Sequence, residues 1–337
     1  MHIISPGDTG AEVRDLQHRL VVSGEPIEPS ELIGRFGPST EAAVKAFQTR
    51  RNLRVDGLVG PDTWGQLVEA GFRLGDRTLY LRSPYHRGDD VRELQRKLNA
   101  LGFDAGKEDG VFGPRTDNGA REFQRNVADE VDGIIGLRTL STLDRMRPLD
   151  DVPSRALVRE AEELRELPGL KGQVIAISAG DGGMGATLAA ATAAALQTVG
   201  ADPVVFGFPA DDAPSTRARQ ANGVGAAVFL SVEVGGGLPE ASGPTCSYFG
   251  SATTHSPAGR LVAELILDEL ERVLGHRGRL QRLTVAEVRE TRMPAVIVEP
   301  LLGTEPYEVA VLHDPGLPQR IGLAIARGVG RFFPSEG

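Results

Sequence analysis

The chain has 337 residues, 40% of them hydrophobic and 25% charged, the make-up of an ordinary globular protein long enough for about two domains with separate cores. A formal charge of -9 excludes nonspecific attraction to nucleic acid or anionic lipid, because both need a surplus of Lys and Arg at the contact. The single Cys246 excludes an internal disulfide and a thiolate zinc cluster, in keeping with a reducing compartment.

In chain order, residues 1–6 offer neither a basic segment nor an apolar stretch of signal-peptide length, so a cytoplasmic protein is expected. Apolar runs such as 186–196 are too short to span a bilayer, and no membrane insertion is expected. An internal repeat follows. Gly7-Asp8-Thr9-Gly10-Ala11-Glu12-Val13 leads to Leu16-Gln17 and Leu20, and Gly88-Asp89-Asp90-Val91 leads to Leu94-Gln95 and Leu98. Phe36-Gly37-Pro38, Thr40, Phe47-Gln48, Val55-Asp56-Gly57, Gly60 and Thr63 return as Phe112-Gly113-Pro114, Thr116, Phe123-Gln124, Val131-Asp132-Gly133, Gly136 and Thr139. Residue 94 answers residue 16, an offset of 78, and residue 123 answers residue 47, an offset of 76. Apolar residues three and four apart after Gly-Asp predict a helix with one buried stripe, the Asp being placed to cap it. Asp-Gly and Gly-Pro predict tight turns. Each copy reads as a three-helix unit, over 1–70 and 71–147.

The pattern resembles the peptidoglycan-binding domain type 1 family over nearly all of residues 5–145. Every quoted residue also makes sense as scaffold, and the motif does not decide whether a copy holds a muropeptide or a protein surface.

Residues 147–154 have linker composition and 155–167 helical charge patterning, which gives a linker and helix over 148–171. Strand-like runs at 174–177, 204–208, 227–231 and 295–298 alternate with helical ones at 186–198, 258–274 and 318–332. That alternation predicts an α/β domain over 172–337 with a mainly parallel sheet, so the fold class is multidomain, two all-α repeats and then α/β.

Four segments of this half are Ser178-Ala179-Gly180-Asp181-Gly182-Gly183, Arg217 with Ala221-Asn222, Ser231-Val232-Glu233-Val234-Gly235, and Met293-Pro294-Ala295-Val296-Ile297-Val298-Glu299. In that order they resemble the zinc-dependent N-acetylmuramoyl-L-alanine amidases called amidase 3. The resemblance implies two His and one Glu holding zinc, which lowers the pKa of its bound water from about 15.7 toward roughly 7, with Glu299 as the catalytic acid. Here Asp181 takes the place of the first His and Glu233 that of the second, and residues 186–195 contain no acid to replace the metal-binding Glu. A pseudo-amidase without zinc is therefore expected, with Asp181, Glu233 and Glu299 left at the rim of the old cleft and Glu299 a vestigial acid. Three oxygen ligands would suit magnesium or calcium better than zinc. Unneutralised, they would repel one another and favour a retained proton. His2, His18, His86, His255, His276 and His313 all fall outside the ligand blocks, and Cys246, Ser231 and Ser247 lack a base in sequence and read as structural.

Two alternatives stay open. One is a working zinc amidase. The other is a nucleotide-binding module, because Gly180-Asp181-Gly182-Gly183-Met184-Gly185 satisfies G-x-G-x-x-G between a strand and a helix. Against the second, Asp181 puts negative charge in the phosphate loop, and no acid closes the strand near Phe208, although Asp211 and Asp212 follow.

The joint order of the two halves, with Phe72-Arg73-Leu74-Gly75-Asp76-Arg77-Thr78-Leu79-Tyr80 between the repeats, resembles the CwlM-like family of actinobacteria. That resemblance implies a noncatalytic cytoplasmic regulator of peptidoglycan precursor synthesis, acting on UDP-N-acetylglucosamine enolpyruvyl transferase and answering to a Ser/Thr kinase. Contacts to such a protein, or to a muropeptide-like ligand, are expected. Family members can carry phosphorylatable Thr in a C-terminal extension; the chain ends at Gly337, soon after its last predicted helix, which leaves that control open.

Overall fold

The computed structural model describes residues 3–146, 159–160, 162–164, 166–179, 183–207, 214–234, 243–251, 254–300 and 314–334. The chain divides into two compact units: a helical one of residues 2–50 and 57–163, and an α/β one in which residues 51–56 join the chain from Leu164 onward. Of the predicted linker and helix over 148–171, residues 148–158, 161 and 165 lie outside the described residues.

The helical unit holds α1 (Ala11–Val22), α2 (Pro38–Arg50) and α3 (Pro61–Glu69), repeated as α4 (Asp89–Ala100), α5 (Pro114–Asn126) and α6 (Leu137–Arg145). The spacing of apolar residues explains the burial: Val13, Leu16 and Leu20 line α1 as Val91, Leu94 and Leu98 line α4, each at most 2% exposed. Phe36 and Phe47 in the first copy, and Phe112 and Phe123 in the second, are fully buried. The expected Asp caps need correction. Gly10 and Gly88 hold the N-cap positions with no side-chain bond. Gly10 enters α1 at φ 126°, a conformation that favours glycine, so Asp8 falls short of the cap and accepts the Ser5 N–H at 2.7 Å instead. Asp89 is the first residue of α4 and pairs with Arg92.

The paired Leu-Gln and Phe-Gln motifs have one structural cause. Gln17, Gln48, Gln95 and Gln124 are each 1% exposed. Their Oε1 atoms accept the N–H of Gly34, Gly57, Gly110 and Gly133 at 3.1, 2.9, 2.9 and 2.8 Å. Their Nε2 atoms donate to the carbonyls of the next residues, Arg35, Leu58, Val111 and Ile134. All four glycines have positive φ, between 73° and 88°. Each glutamine thus replaces the ladder partners that a tight glycine turn lacks. These four motif residues are scaffold.

The α/β unit runs β1 (Val174–Ala179), α7 (Gly183–Thr198), β2 (Asp202–Phe206), α8 (Pro214–Gly223), β3 (Val228–Val232), β4 (Thr245–Phe249), α9 (Pro257–Leu274), β5 (Arg279–Leu283), α10 (Ala286–Arg289), β6 (Ala295–Glu299) and α11 (Leu317–Phe332). Sheet order is β2-β1-β3-β6-β4-β5, parallel except where β4 meets β6. The mainly parallel sheet is as read from sequence, with one antiparallel junction. The run expected at 204–208 is β2, two residues earlier; Phe208 lies outside the described residues.

Strand alternation sorts the sheet into two faces. Ile175, Ile177, Val228, Leu230, Val232, Val296 and Val298 share one core with α7, α9 and α11. Two glycines let these helices close on one another. A Cβ on Gly322 would lie 2.6 Å from the Ala191 carbonyl carbon, and one on Gly328 2.5 Å from the Ile266 Cα. The residues in between, Phe229, Ser231, Ala295, Ile297 and Glu299, point to the opposite face.

Candidate functional site

The site begins with register. Ser231 pairs with Ile297 and Val232 with Val298 in the parallel β3–β6 ladder, and the Glu233 N–H donates to the Val298 carbonyl at 3.0 Å. One more step puts Glu233 beside Glu299, at the C-terminal ends of adjacent strands where open α/β sheets carry their sites. Two carboxylates side by side repel.

Arg54 meets both. Its Nη2 lies 2.7 Å from Glu233 Oε2 and its Nη1 3.2 Å from Glu299 Oε1. Residues 51–56 belong to this α/β unit by compactness although they fall inside the first repeat in sequence. The segment is fixed by its backbone: the Thr284 N–H donates to the Asn52 carbonyl at 2.9 Å, and the Thr284 hydroxyl donates to the Arg51 carbonyl. Asn52 turns the chain at φ 50°, a conformation Asn tolerates better than most residues.

A second arginine completes the network. Arg217 on α8 reaches Glu287 Oε1 on α10 at 2.8 Å and Glu233 Oε1 at 3.6 Å. The Ser231 hydroxyl lies 3.1 Å from Glu233 Oε1 and 3.2 Å from Glu287 Oε1. Two guanidinium groups thus face three carboxylates. Side-chain exposure falls from 29% at Arg54 to 15% at Glu233 and 4% at Glu299, so the inner end of the network is dry. Burial pushes the Glu299 carboxyl above its ordinary range, the Arg54 charge pulls it back in part, and Glu233 pushes it up again. For Arg54, burial works against the charged form, but Glu233 and then Glu299 outweigh it and hold the guanidinium firmly ionised.

Of the three expected site residues, Glu233 and Glu299 come together and Asp181 lies outside the described residues with Gly180 and Gly182, while Gly183, Met184 and Gly185 form the first turn of α7. Cys246 is fully buried and burial raises its thiol pKa, so it is inert packing, and Ser247 is buried beside it in β4. Sequence reading missed Arg54 and Glu287 altogether and quoted Arg217 only as part of a motif. One signal for Arg54 was present: the second repeat carries Glu130 at the equivalent place, a reversal of charge within an otherwise matching turn.

Both halves of the chain match known protein families. The model for a putative peptidoglycan binding domain matches residues 9–67 and 87–143, and that for N-acetylmuramoyl-L-alanine amidase matches 184–331, which includes Glu233 and Glu299 but begins after Asp181. The chain is 33% identical to N-acetylmuramoyl-L-alanine amidase CwlM of Mycobacterium tuberculosis, over 97% of this chain and 88% of that protein. It is 33% identical to N-acetylmuramoyl-L-alanine amidase CwlL of Bacillus licheniformis over 42% of this chain and 45% of that one. Among solved structures, the amidase Ami1 of Mycobacterium smegmatis covers 49% of this chain and 98% of its own length at 19% identity and a TM-score of 0.43.

Proposed function

Because the chain belongs to the family of N-acetylmuramoyl-L-alanine amidase CwlM, with two peptidoglycan-binding repeats ahead of an amidase-type α/β domain, we propose that it serves peptidoglycan metabolism as a noncatalytic cytoplasmic binding and regulatory protein. The observation that carries this reading is the Arg54 guanidinium between Glu233 and Glu299.

Hydrolysis of this class needs a zinc ion with an open coordination position, so that its bound water ionises near neutral pH. In this cleft the two adjacent carboxylates already neutralise a fixed guanidinium, and a zinc ion placed between them would meet that positive charge. Among the described residues, no group of three or more His, Cys, Asp or Glu is arranged to hold a metal. The described residues around Glu299 do not fit zinc, which leaves that acid without a metal-activated water to serve. No helix among the described residues is long and apolar enough to cross a membrane.

A protein of this design acts through its surfaces. The partner that the family resemblance favours is an enzyme of precursor synthesis such as UDP-N-acetylglucosamine enolpyruvyl transferase, and a muropeptide-like ligand is the other class the repeats suit. Titrating the full chain with the purified transferase, alongside an assay for peptide release from muropeptides in added zinc, tests both halves of the reading. Saturable binding and no release are expected. Release of peptide, or absence of binding to either the transferase or muropeptides, would overturn it.

A further inference from the structure

We infer that Arg54 is the structural cation of this cleft, a positioning residue that holds Glu233 and Glu299 together as a bound metal ion would, and that the pocket it fills selects a guanidinium group. This goes beyond the noncatalytic reading, since it assigns a ligand class to the altered site whatever partner the protein serves.

Three observations carry it. First, the β3–β6 register forces Glu233 and Glu299 into adjacency on one face, and Glu299 is 3% exposed, so the pair stays ionised only with a cation beside it. Second, the contact uses the shape of the guanidinium. Its two terminal nitrogens divide between the two acids, a hydrogen bond of 2.7 Å to Glu233 and an ion pair of 3.2 Å to Glu299, so a rigid planar fork reaches both carboxylates where an ammonium presents one compact charge. Third, the segment that delivers the group is held independently of it. Thr284 fixes the backbone at Arg51 and Asn52, and Leu53 is 3% exposed. Removing the Arg54 side chain should therefore leave the turn seated and a guanidinium-shaped space in front of the two carboxylates.

The test is chemical rescue in the full chain. Thermal unfolding of Arg54→Ala, Arg54→Lys and the natural protein is followed in low-millimolar guanidinium chloride, far below denaturing levels, and in matched sodium chloride, methylammonium chloride, magnesium chloride and micromolar zinc chloride. A ligand that binds only the folded state raises its Tm. Arg54→Ala should lose Tm and regain at least half of the loss in guanidinium alone, Arg54→Lys should stay below the natural protein, and the natural protein should not respond. No recovery in guanidinium, equal recovery in methylammonium, or stronger recovery in zinc or magnesium would each overturn the inference. If Arg54→Ala does not fold, nitrogen-15 spectra of the arginine side chains in the natural protein decide: one guanidinium with hindered Nη rotation, released in Glu299→Gln, is expected, and its absence overturns the inference. Failure here is distinct from failure of the noncatalytic reading, which shows as peptide release or missing partner binding by the natural chain.

Discussion

After α2 the chain turns through Asn52 at φ 50°, and after α5 it turns through Ala128 at φ 54°. Each turn leads to a positive-φ glycine, Gly57 or Gly133, locked by a buried glutamine. Between these fixed points the side chains part company. The first turn presents Leu53 and Arg54, the one buried and the other ion-paired to Glu233 and Glu299; the second presents Asp129 and an exposed Glu130. The backbone of the turn is a property of the repeat, set by its glycine and glutamine. The side chains it displays are free to change, and in one copy a residue has been recruited to the α/β unit.

The largest effect that sharpens this contrast is on stability. Arg54→Ala leaves buried carboxylates short of a counter-charge and should cost about 3 kcal/mol in denaturant unfolding of the α/β unit, whereas Glu130→Ala at the matching place should stay within about 0.5 kcal/mol. Equal effects would break the comparison. The shared part of the turns should behave in the opposite way: Gln48→Ala and Gln124→Ala each strand a buried glycine N–H and should cost a similar amount, about 2 kcal/mol.

A smaller effect lies in pH. Burial raises the Glu299 pKa above its ordinary 4.5 in the folded state, so the folded chain binds that proton at higher pH than the unfolded chain. Its contribution to stability is full below 4.5 and is lost as pH rises through the folded value. Removing Arg54 takes away a charge that lowers this pKa. The penalty of Arg54→Ala should therefore shrink by about 1 kcal/mol between about pH 7 and about pH 5, as Glu299 accepts its proton. A penalty that stays constant or grows would contradict the assignment of the charge. The smallest effect tests the turn backbone. Ala128→Gly relieves a left-handed alanine and should stabilise by up to about 1 kcal/mol, while Asn52→Gly, where Asn already suits the conformation, should change stability by only a few tenths.

Much of the architecture was legible because its cause is local. The helices of both repeats follow from apolar spacing and from Gly-Pro and Asp-Gly pairs, and β1, β3 and β6 from runs of Val, Ile and Phe. The elements that escaped notice lack those signals. β4, Thr-Cys-Ser-Tyr-Phe, is buried throughout yet carries small polar residues, and β5, Arg-Leu-Gln-Arg-Leu, is an edge strand with charge on it. α8 has no apolar stripe, and its buried residues are Arg217, Ala218 and Ala221. The site divides in the same way. Glu233 and Glu299 were found through motif resemblance, but their adjacency depends on β3 pairing with β6 across more than sixty residues of chain, and the role of Arg54 depends on a contact some 179 residues away in sequence. Neither distance is encoded in any local pattern.

The claim on which the account turns is that a guanidinium, and no metal ion, balances the charge at Glu299. Calorimetric titration of the metal-stripped full chain with zinc, followed by elemental analysis of the recovered protein, addresses it most directly. The account predicts no saturable heat and substoichiometric zinc. One tightly held zinc per chain, displaced in Glu299→Gln, would contradict it.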